Sequence, residues 1–269
     1  MADGSLSSTH ILKFQTKRNE NIVVNEYFCM SLAKEAGLMV AKVSLRKYGE
    51  HPVLMVERFD RVMSKDTVKR LHIIDGCQML DLPSSYKYER NFGSGRDVEN
   101  IREGANFPKL FEVANLCEVP AIAKLQLLDW AIYTLIIGNA DAHGKNVSFF
   151  LNRSGITVAP YYDMLSIIMH EGVDHELAMA YGDEFDANKI LGYPLREFAE
   201  QTGLNPKLVS TRIHILCKNI KKVLGNHTID MTLFSNAEKD FTDKLHLLIS
   251  KRIDTLLLSA DEMLKVSYE

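Results

Sequence analysis

Asp141, Asn146 and Asp163 are the residues of this chain whose types and spacing suit a chemical step. The first two lie in the run Asn139-Ala-Asp141-Ala-His143-Gly-Lys145-Asn146, and Asp163 follows seventeen residues later. A positioned carboxylate can take the proton that leaves a hydroxyl group. Magnesium accepts few protein oxygens, keeps several waters and completes its shell with substrate phosphates, so one further carboxylate and one amide suffice to hold it. Asp141 is therefore the candidate base, Asn146 and Asp163 are the candidate metal ligands, and the chemistry is phosphoryl transfer.

The surrounding elements must bring these three groups to one place. Ala121 to Ile137 is a long apolar stretch with the only tryptophan, Trp130, and with Gly138 where a helix would stop; it predicts a buried helix ending just before Asn139. Val147–Leu151 and Ile156–Pro160 are β-type runs separated by Asn152-Arg-Ser-Gly155, good composition for a hairpin turn. Asn146 precedes the first of these strands and Asp163 follows the second, so the fold-back delivers both side chains to its open end. The spacing of five from Asp141 to Asn146 is also that of the base and the metal-binding asparagine in a protein-kinase catalytic loop.

Upstream, residues 9–14 read as a strand carrying Lys13. Asn25 to Gly37 has apolar residues at helical spacing (Phe28, Leu32, Ala33, Ala36) and predicts an amphipathic helix with Glu26 in its first turn. Val40–Tyr48 and Pro52–Phe59 then read as two strands joined through Gly49-Glu50. A strand lysine, a helix glutamate and two more strands is the order of a kinase small lobe, in which the lysine pairs with the glutamate and lies against nucleotide phosphates. Asp60–Lys69 is polar and reads as a loop, and Asp81–Gly104 holds too many breakers for one regular element. Leu195–Thr202, Pro206–Leu224 and Ser235–Val266, the last with a break, predict a mainly helical remainder. The expected fold is α+β and two-lobed, with a small nucleotide-binding lobe over residues 1–59 and a larger, mainly helical catalytic lobe over 60–269.

Composition narrows the classes. With 269 residues, 46% of them hydrophobic and 25% charged, the chain is long enough for one large domain or two unequal lobes. A net charge of −3 gives no bulk attraction to nucleic acid or to an anionic membrane. Lys124, Gln126 and Asp129 interrupt the one long apolar stretch, which argues against a membrane span, and the opening residues Met1 to Ser8 lack the build of a signal peptide. Cys29, Cys77, Cys117 and Cys217 form no C-x-x-C pair, so zinc knuckles and thioredoxin-type chemistry are unsupported and reduced, buried thiols of a cytoplasmic protein are expected.

Six ordered segments carry a more specific likeness. Ser8-Thr-His-Ile-Leu-Lys13, Asn25-Glu-Tyr with Leu32-Ala-Lys and Gly37-Leu, Val56-Glu-Arg-Phe-Asp-Arg61, Leu82-Pro-Ser-Ser with Lys87-Tyr-Glu89, the Asp141 loop, and Tyr162-Asp-Met-Leu-Ser166 resemble HipA-type serine/threonine kinases, the toxins of bacterial persistence modules. The resemblance runs from about residue 8 to about residue 182. It implies ATP and magnesium as cofactors, Lys13 on the ATP phosphates with Glu26 as its partner, and the strand end from Glu57 to Phe59 as the hinge that meets adenine. It further implies Asp141 as catalytic base, His143 as a phosphate contact, Asn146 and Asp163 as magnesium ligands, and Tyr162 lining the nucleotide site. Family members phosphorylate a serine on an aminoacyl-tRNA synthetase, halt translation, and are commonly restrained by a DNA-binding antitoxin. They also carry an amino-terminal subdomain and a phosphate-covering loop with an autophosphorylated serine, whereas seven residues precede Ser8 here. A truncated form, a separate polypeptide supplying that part, and a catalytically weak member are the readings left open.

Two other classes compete with a kinase. A metal-dependent phosphohydrolase would use Asp141, His143 and Asp163, with His170 as a further candidate, around manganese or zinc, without an H-D pair or H-x-x-E-H signature to support it. A nucleotide-binding or partner-binding module without catalysis would use the same cavity or the helical lobe as a docking surface.

Overall fold

The computed structural model describes residues 7–17, 19–64 and 67–266. Most of the opening segment examined for a signal peptide, residues 1–6, lies outside the described residues. The chain begins with strand β1 (His10–Phe14) and helix α1 (Ile22–Glu35), followed by β2 (Val43–Tyr48) and β3 (His51–Glu57). These strands form one antiparallel sheet in the order β1-β3-β2, with Lys13 opposite Leu54 and Leu45 opposite Leu54 on the other side. Helix α1 starts three residues earlier than the sequence pattern suggested, so Glu26 sits one turn inside it, not in its first turn. The cause is Asn21, whose left-handed backbone (φ 62°) turns the chain into the helix. Val24, Phe28, Leu32 and Ala33 are buried in the core.

A hairpin of β4 (Arg61–Ser64) and β5 (Thr67–Arg70) occupies the polar stretch expected to be a loop. Its side chains are largely exposed, so no apolar alternation marked it. Strand β6 (Ile73–Asp75) leads into the short helix α2 (Gly76–Met79), and the segment to residue 104 is irregular apart from one tight turn at Ser84–Tyr86. Helix α3 (Phe107–Val113) precedes α4 (Pro120–Ile137). By length and mean hydropathy, 1.3 over the window, α4 could cross a membrane, but it is the core helix, with 67% of that window buried inside the fold. Leu127, Leu128, Trp130, Tyr133 and Ile136 are fully enclosed, each worth roughly 1.5–3 kcal/mol over an exposed position. Asp129, the charge that interrupts the stretch, is paired with Arg212.

Strands β7 (Ser148–Asn152) and β8 (Gly155–Val158) form the expected hairpin, with Asn152 opposite Gly155, and β6 adds to it in the order β6-β7-β8. A second small pair, β9 (Glu176–Tyr181) and β10 (Glu184–Asp186), follows. The chain ends in α5 (Gly192–Gln201), α6 (Pro206–Asn226) and α7 (Asn236–Glu262). Helix α7 has no break: Ser235 and Glu238 cap its start reciprocally, no Gly or Pro interrupts it, and Thr242, Leu245, Ile249, Ile253 and Leu256 keep one buried stripe. The four cysteines are free and buried.

The two parts of the fold are tied by backbone. Ala41 N–H donates to the Tyr161 carbonyl and Tyr161 N–H to the Met39 carbonyl, both at 2.8 Å. Tyr133 of α4 donates its hydroxyl to the Cys29 carbonyl of α1 at 2.5 Å.

Candidate active site

Helix α4 stops at Gly138, which takes the left-handed conformation (φ 67°) and closes against the Leu135 and Thr134 carbonyls. The loop that follows is held from three sides. Ala178 N–H of β9 donates to the Ala140 carbonyl, Gly144 N–H donates to the Lys87 carbonyl, and Gly76 N–H of α2 donates to the Val147 carbonyl, at 2.8–2.9 Å. Gly144 admits no side chain, because an added Cβ would lie 2.4 Å from the Ala105 Cβ. Asp141 and Asn146 therefore sit on a loop with little freedom to shift.

The hairpin returns Asp163 beside this loop. Asn146 Nδ2 donates to Asp163 Oδ2 at 3.0 Å, while Asn146 Oδ1 accepts from His143 N–H at 3.0 Å. The Asn146 nitrogen thus faces the Asp163 carboxylate, and its oxygen, with two lone pairs, faces His143 N–H. Asp163 has a positive φ of 58°, an uncommon backbone for a non-glycine residue and one that clusters at functional sites. Lys13 holds its other oxygen at 2.5 Å. The carboxylate and the amide oxygen are of the hard type that magnesium takes, on side chains in direct contact.

Lys13 reaches both carboxylates at once. Its Nζ lies 2.7 and 2.8 Å from the two Glu26 oxygens, joining β1 to α1. Burial pulls the Lys13 ammonium down, but the charges of Glu26 and Asp163 outweigh it and hold the pKa above the ordinary lysine value. Burial pushes Glu26 up to about 7, against the pull of Lys13; its side chain is only 5% exposed. A cavity of about 210 Å³ opens here, lined by Lys13, Glu26, Glu57, Phe59, Tyr162 and Asp163 together with Ile11, Val56 and Ser148. Phe59 and Tyr162 pack with ring centroids 5.7 Å apart, and the Tyr162 hydroxyl donates to the Lys145 carbonyl at 2.5 Å. At the hinge, Glu57 N–H donates to Lys42 and Arg58 N–H to Thr9.

Asp141 faces a second, larger cavity of about 500 Å³, lined among others by Tyr88, Arg90, Asn91, Ala140 and Leu177. Its Oδ1 accepts the Tyr88 hydroxyl at 2.7 Å. His143 is buried, and its Nε2 accepts from the Lys87 ammonium at 2.9 Å. Lysine has only protons to give, so this histidine is neutral with its proton on Nδ1, a buried donor that has no partner. Burial first, then Lys87, depresses its pKa.

Residues beyond the sequence expectation complete the site. In the run Lys87-Tyr88-Glu89 every side chain is anchored: Lys87 on His143, Tyr88 on Asp141, and Glu89 both on the Ala180 N–H at 2.8 Å and on Arg102 at 2.7 Å. Asn25, wholly buried, grips the Asp163 segment from α1. All four stand in the short motifs quoted from the sequence. Apart from Glu89–Arg102, 13 positions apart, these ties span 53 to 141 positions, and no local pattern reports such contacts. His170 lies against Asn25, with its Nε2 2.9 Å from Asn25 Nδ2 and its pKa lowered by burial. Among the described residues no three His, Cys, Asp or Glu are grouped as a metal cage would need, which removes the basis for an imidazole-rich phosphohydrolase shell.

The arrangement matches known proteins. A Shewanella oneidensis serine/threonine-protein kinase toxin HipA is 41% identical over 264 residues, covering 97% of this chain and 60% of that protein. A putative kinase, Y4mE, from Sinorhizobium fredii is 34% identical over 244 residues, covering 89% and 56%. The chain thus spans about 60% of the length of these curated relatives. Among solved structures, HipA of Shewanella oneidensis MR-1, in a complex of HipA, HipB and operator DNA, superposes with a TM-score of 0.95 at 40% identity, covering 99% of this chain and 63% of that one. The Helicobacter pylori proinflammatory kinase CtkA shares the fold at 15% identity, with a TM-score of 0.60. The α+β, two-lobed protein-kinase-like fold expected from the sequence is the fold of this chain. A family model for the HipA-like C-terminal domain matches residues 2–224, and the chain belongs to that family.

Proposed function

We propose that this chain carries the catalytic part of an ATP- and magnesium-dependent protein serine/threonine kinase of HipA toxin type. The observation that carries the reading is the meeting of Lys13, Glu26, Glu57, Phe59, Tyr162 and Asp163 around one cavity, with Asn146 on Asp163 at 3.0 Å. Residues 1–59 hold the nucleotide and residues 60–269 supply the catalytic groups. Phe59, Val56 and Tyr162 face the base, Lys13 faces the phosphates, and Asn146 with Asp163 would hold magnesium, which when bound offsets phosphate charge. Asp141 orients the acceptor hydroxyl in the larger cavity and takes its proton. His143, braced by Lys87 two residues from the base, is the phosphate contact in this reading.

The acceptor we assign is a serine on an aminoacyl-tRNA synthetase, with translation arrest as the consequence, in the cytoplasm. A DNA-binding antitoxin is the partner proposed, by analogy with the Shewanella complex of HipA, HipB and operator DNA. Incubating the chain with labelled ATP and magnesium tests the reading. Transfer to protein serine that Asp141→Asn abolishes supports it; ATP binding without transfer leaves a nucleotide-binding module instead.

A further inference from the structure

Tyr88 has no role in the chemistry derived so far, yet it is the side chain in direct contact with the base. Its hydroxyl donates to Asp141 Oδ1 at 2.7 Å, and both residues line the same cavity of about 500 Å³. The backbone around it is fixed at both sides, with Gly144 N–H donating to the Lys87 carbonyl and Glu89 N–H donating to the Ala178 carbonyl, each at 2.9 Å. The ring is clamped as well. It meets His143 edge-on with centroids 5.3 Å apart, and the Lys87 ammonium lies 4.6 Å from its centre. A phenol so held cannot follow the carboxylate; the carboxylate must turn to it.

We infer that Tyr88 is a positioning residue for Asp141, locking the carboxylate's rotation through Oδ1 so that Oδ2 is the oxygen that receives the acceptor proton. In the step served, the serine oxygen bonds to the γ-phosphorus as the bond from that phosphorus to the β-phosphate oxygen breaks. The serine proton passes to Asp141 Oδ2, and ADP leaves with the bonding electron pair. A tyrosine suits the post because burial, with the Asp141 charge, holds its hydroxyl protonated well beyond neutral pH, so it donates at every working pH. The inference rests on the kinase reading above.

The test is the steady-state rate of phosphate transfer by the chain for wild type, Tyr88→Phe, Asp141→Asn and the double variant. Removing the hydroxyl lowers kcat by about ten- to a hundredfold, the usual size for a hydrogen bond to a charged group. KM for ATP is unchanged, since Tyr88 lies outside the nucleotide cavity, and Tyr88→Phe adds no loss to Asp141→Asn. A second variant places 4-aminophenylalanine at position 88, which keeps the ring and puts an N–H donor where the hydroxyl stood. It restores most of the rate that Tyr88→Phe loses, whereas a purely structural ring would leave the two variants alike. Wild-type transfer with an unchanged or faster Tyr88→Phe, or with an aminophenylalanine variant no faster than Tyr88→Phe, overturns the inference alone. No transfer by wild type under any condition overturns the kinase reading and the inference with it.

Discussion

Asn25 and Ser166, 141 positions apart, are joined as closely as two paired strands. The Asn25 side chain donates from Nδ2 to the Ser166 carbonyl and accepts at Oδ1 from the Ser166 N–H, both at 2.9 Å. Asn25 is the neighbour of Glu26 on α1, and Ser166 ends the segment that carries Asp163. The helix that presents the partner of Lys13 thus also fixes the backbone that presents Asp163, the proposed metal ligand.

Asn25→Leu removes this clasp and strands the buried Ser166 N–H and carbonyl without partners. An unsatisfied buried group costs about 1–3 kcal/mol, so chemical denaturation is expected to show a loss of at least that size. Stability of the variant equal to wild type would contradict the clasp.

Gly144→Ala is expected to destabilise the chain by about 1–3 kcal/mol, the usual cost of overpacking, because the new Cβ meets the Ala105 Cβ at 2.4 Å and the Cys77 Sγ at 3.3 Å. Ala105→Gly in the same chain relieves the nearer clash. Recovery of a large share of the loss in the double variant, read from the denaturation midpoint, checks that steric contact is the cause; additive losses would point elsewhere.

The buried histidines are expected to cost stability on mild acidification. Burial depresses both His143 and His170, so the unfolded chain binds protons at a pH where the folded one does not. Their contribution is fully present above the ordinary imidazole pKa of about 6.5 and is lost as pH falls through the folded values. Glu26 acts in the opposite sense, because burial raises its pKa to about 7 and the folded chain takes up that proton first. Comparison of wild type with the His143→Asn, His170→Asn variant isolates the histidines: across that window the melting temperature should change less favourably on acidification for wild type. An equal change in both would place the pH dependence on other groups.

The sequence disclosed the parts of the fold whose signals are local. Gly138 marked the end of α4, Asn152-Arg-Ser-Gly155 marked the β7–β8 turn, and the residues from Lys13 to Asp163 that now line one cavity stood in short recognisable strings. The β4–β5 hairpin was hidden because its exposed strands carry no buried face, and β9 because its run from Leu177 to Tyr181 is buried on both sides and shows no alternation. A break was expected in α7, and the unbroken buried stripe overrides that expectation. Tyr88, Lys87 and Asn25 escaped assignment for a different reason. Their value lies in partners supplied by distant segments, which only the assembled fold brings within hydrogen-bond reach.

Magnesium-dependent ATP binding is the most direct measure of the site, because the proposed reading places one cation between Asn146 and Asp163, whose side chains meet with Asn146 Nδ2 donating to Asp163 Oδ2 at 3.0 Å. Calorimetric titration of the chain with ATP, with and without magnesium, should show tighter binding with the ion. Asp163→Asn and Asn146→Ala should each remove most of that gain, about tenfold or more for the loss of one contact to a charged group, while Asp141→Asn leaves it intact. ATP affinity indifferent to magnesium in wild type, or a magnesium effect that survives loss of Asp163, would contradict a shared cation between these two residues.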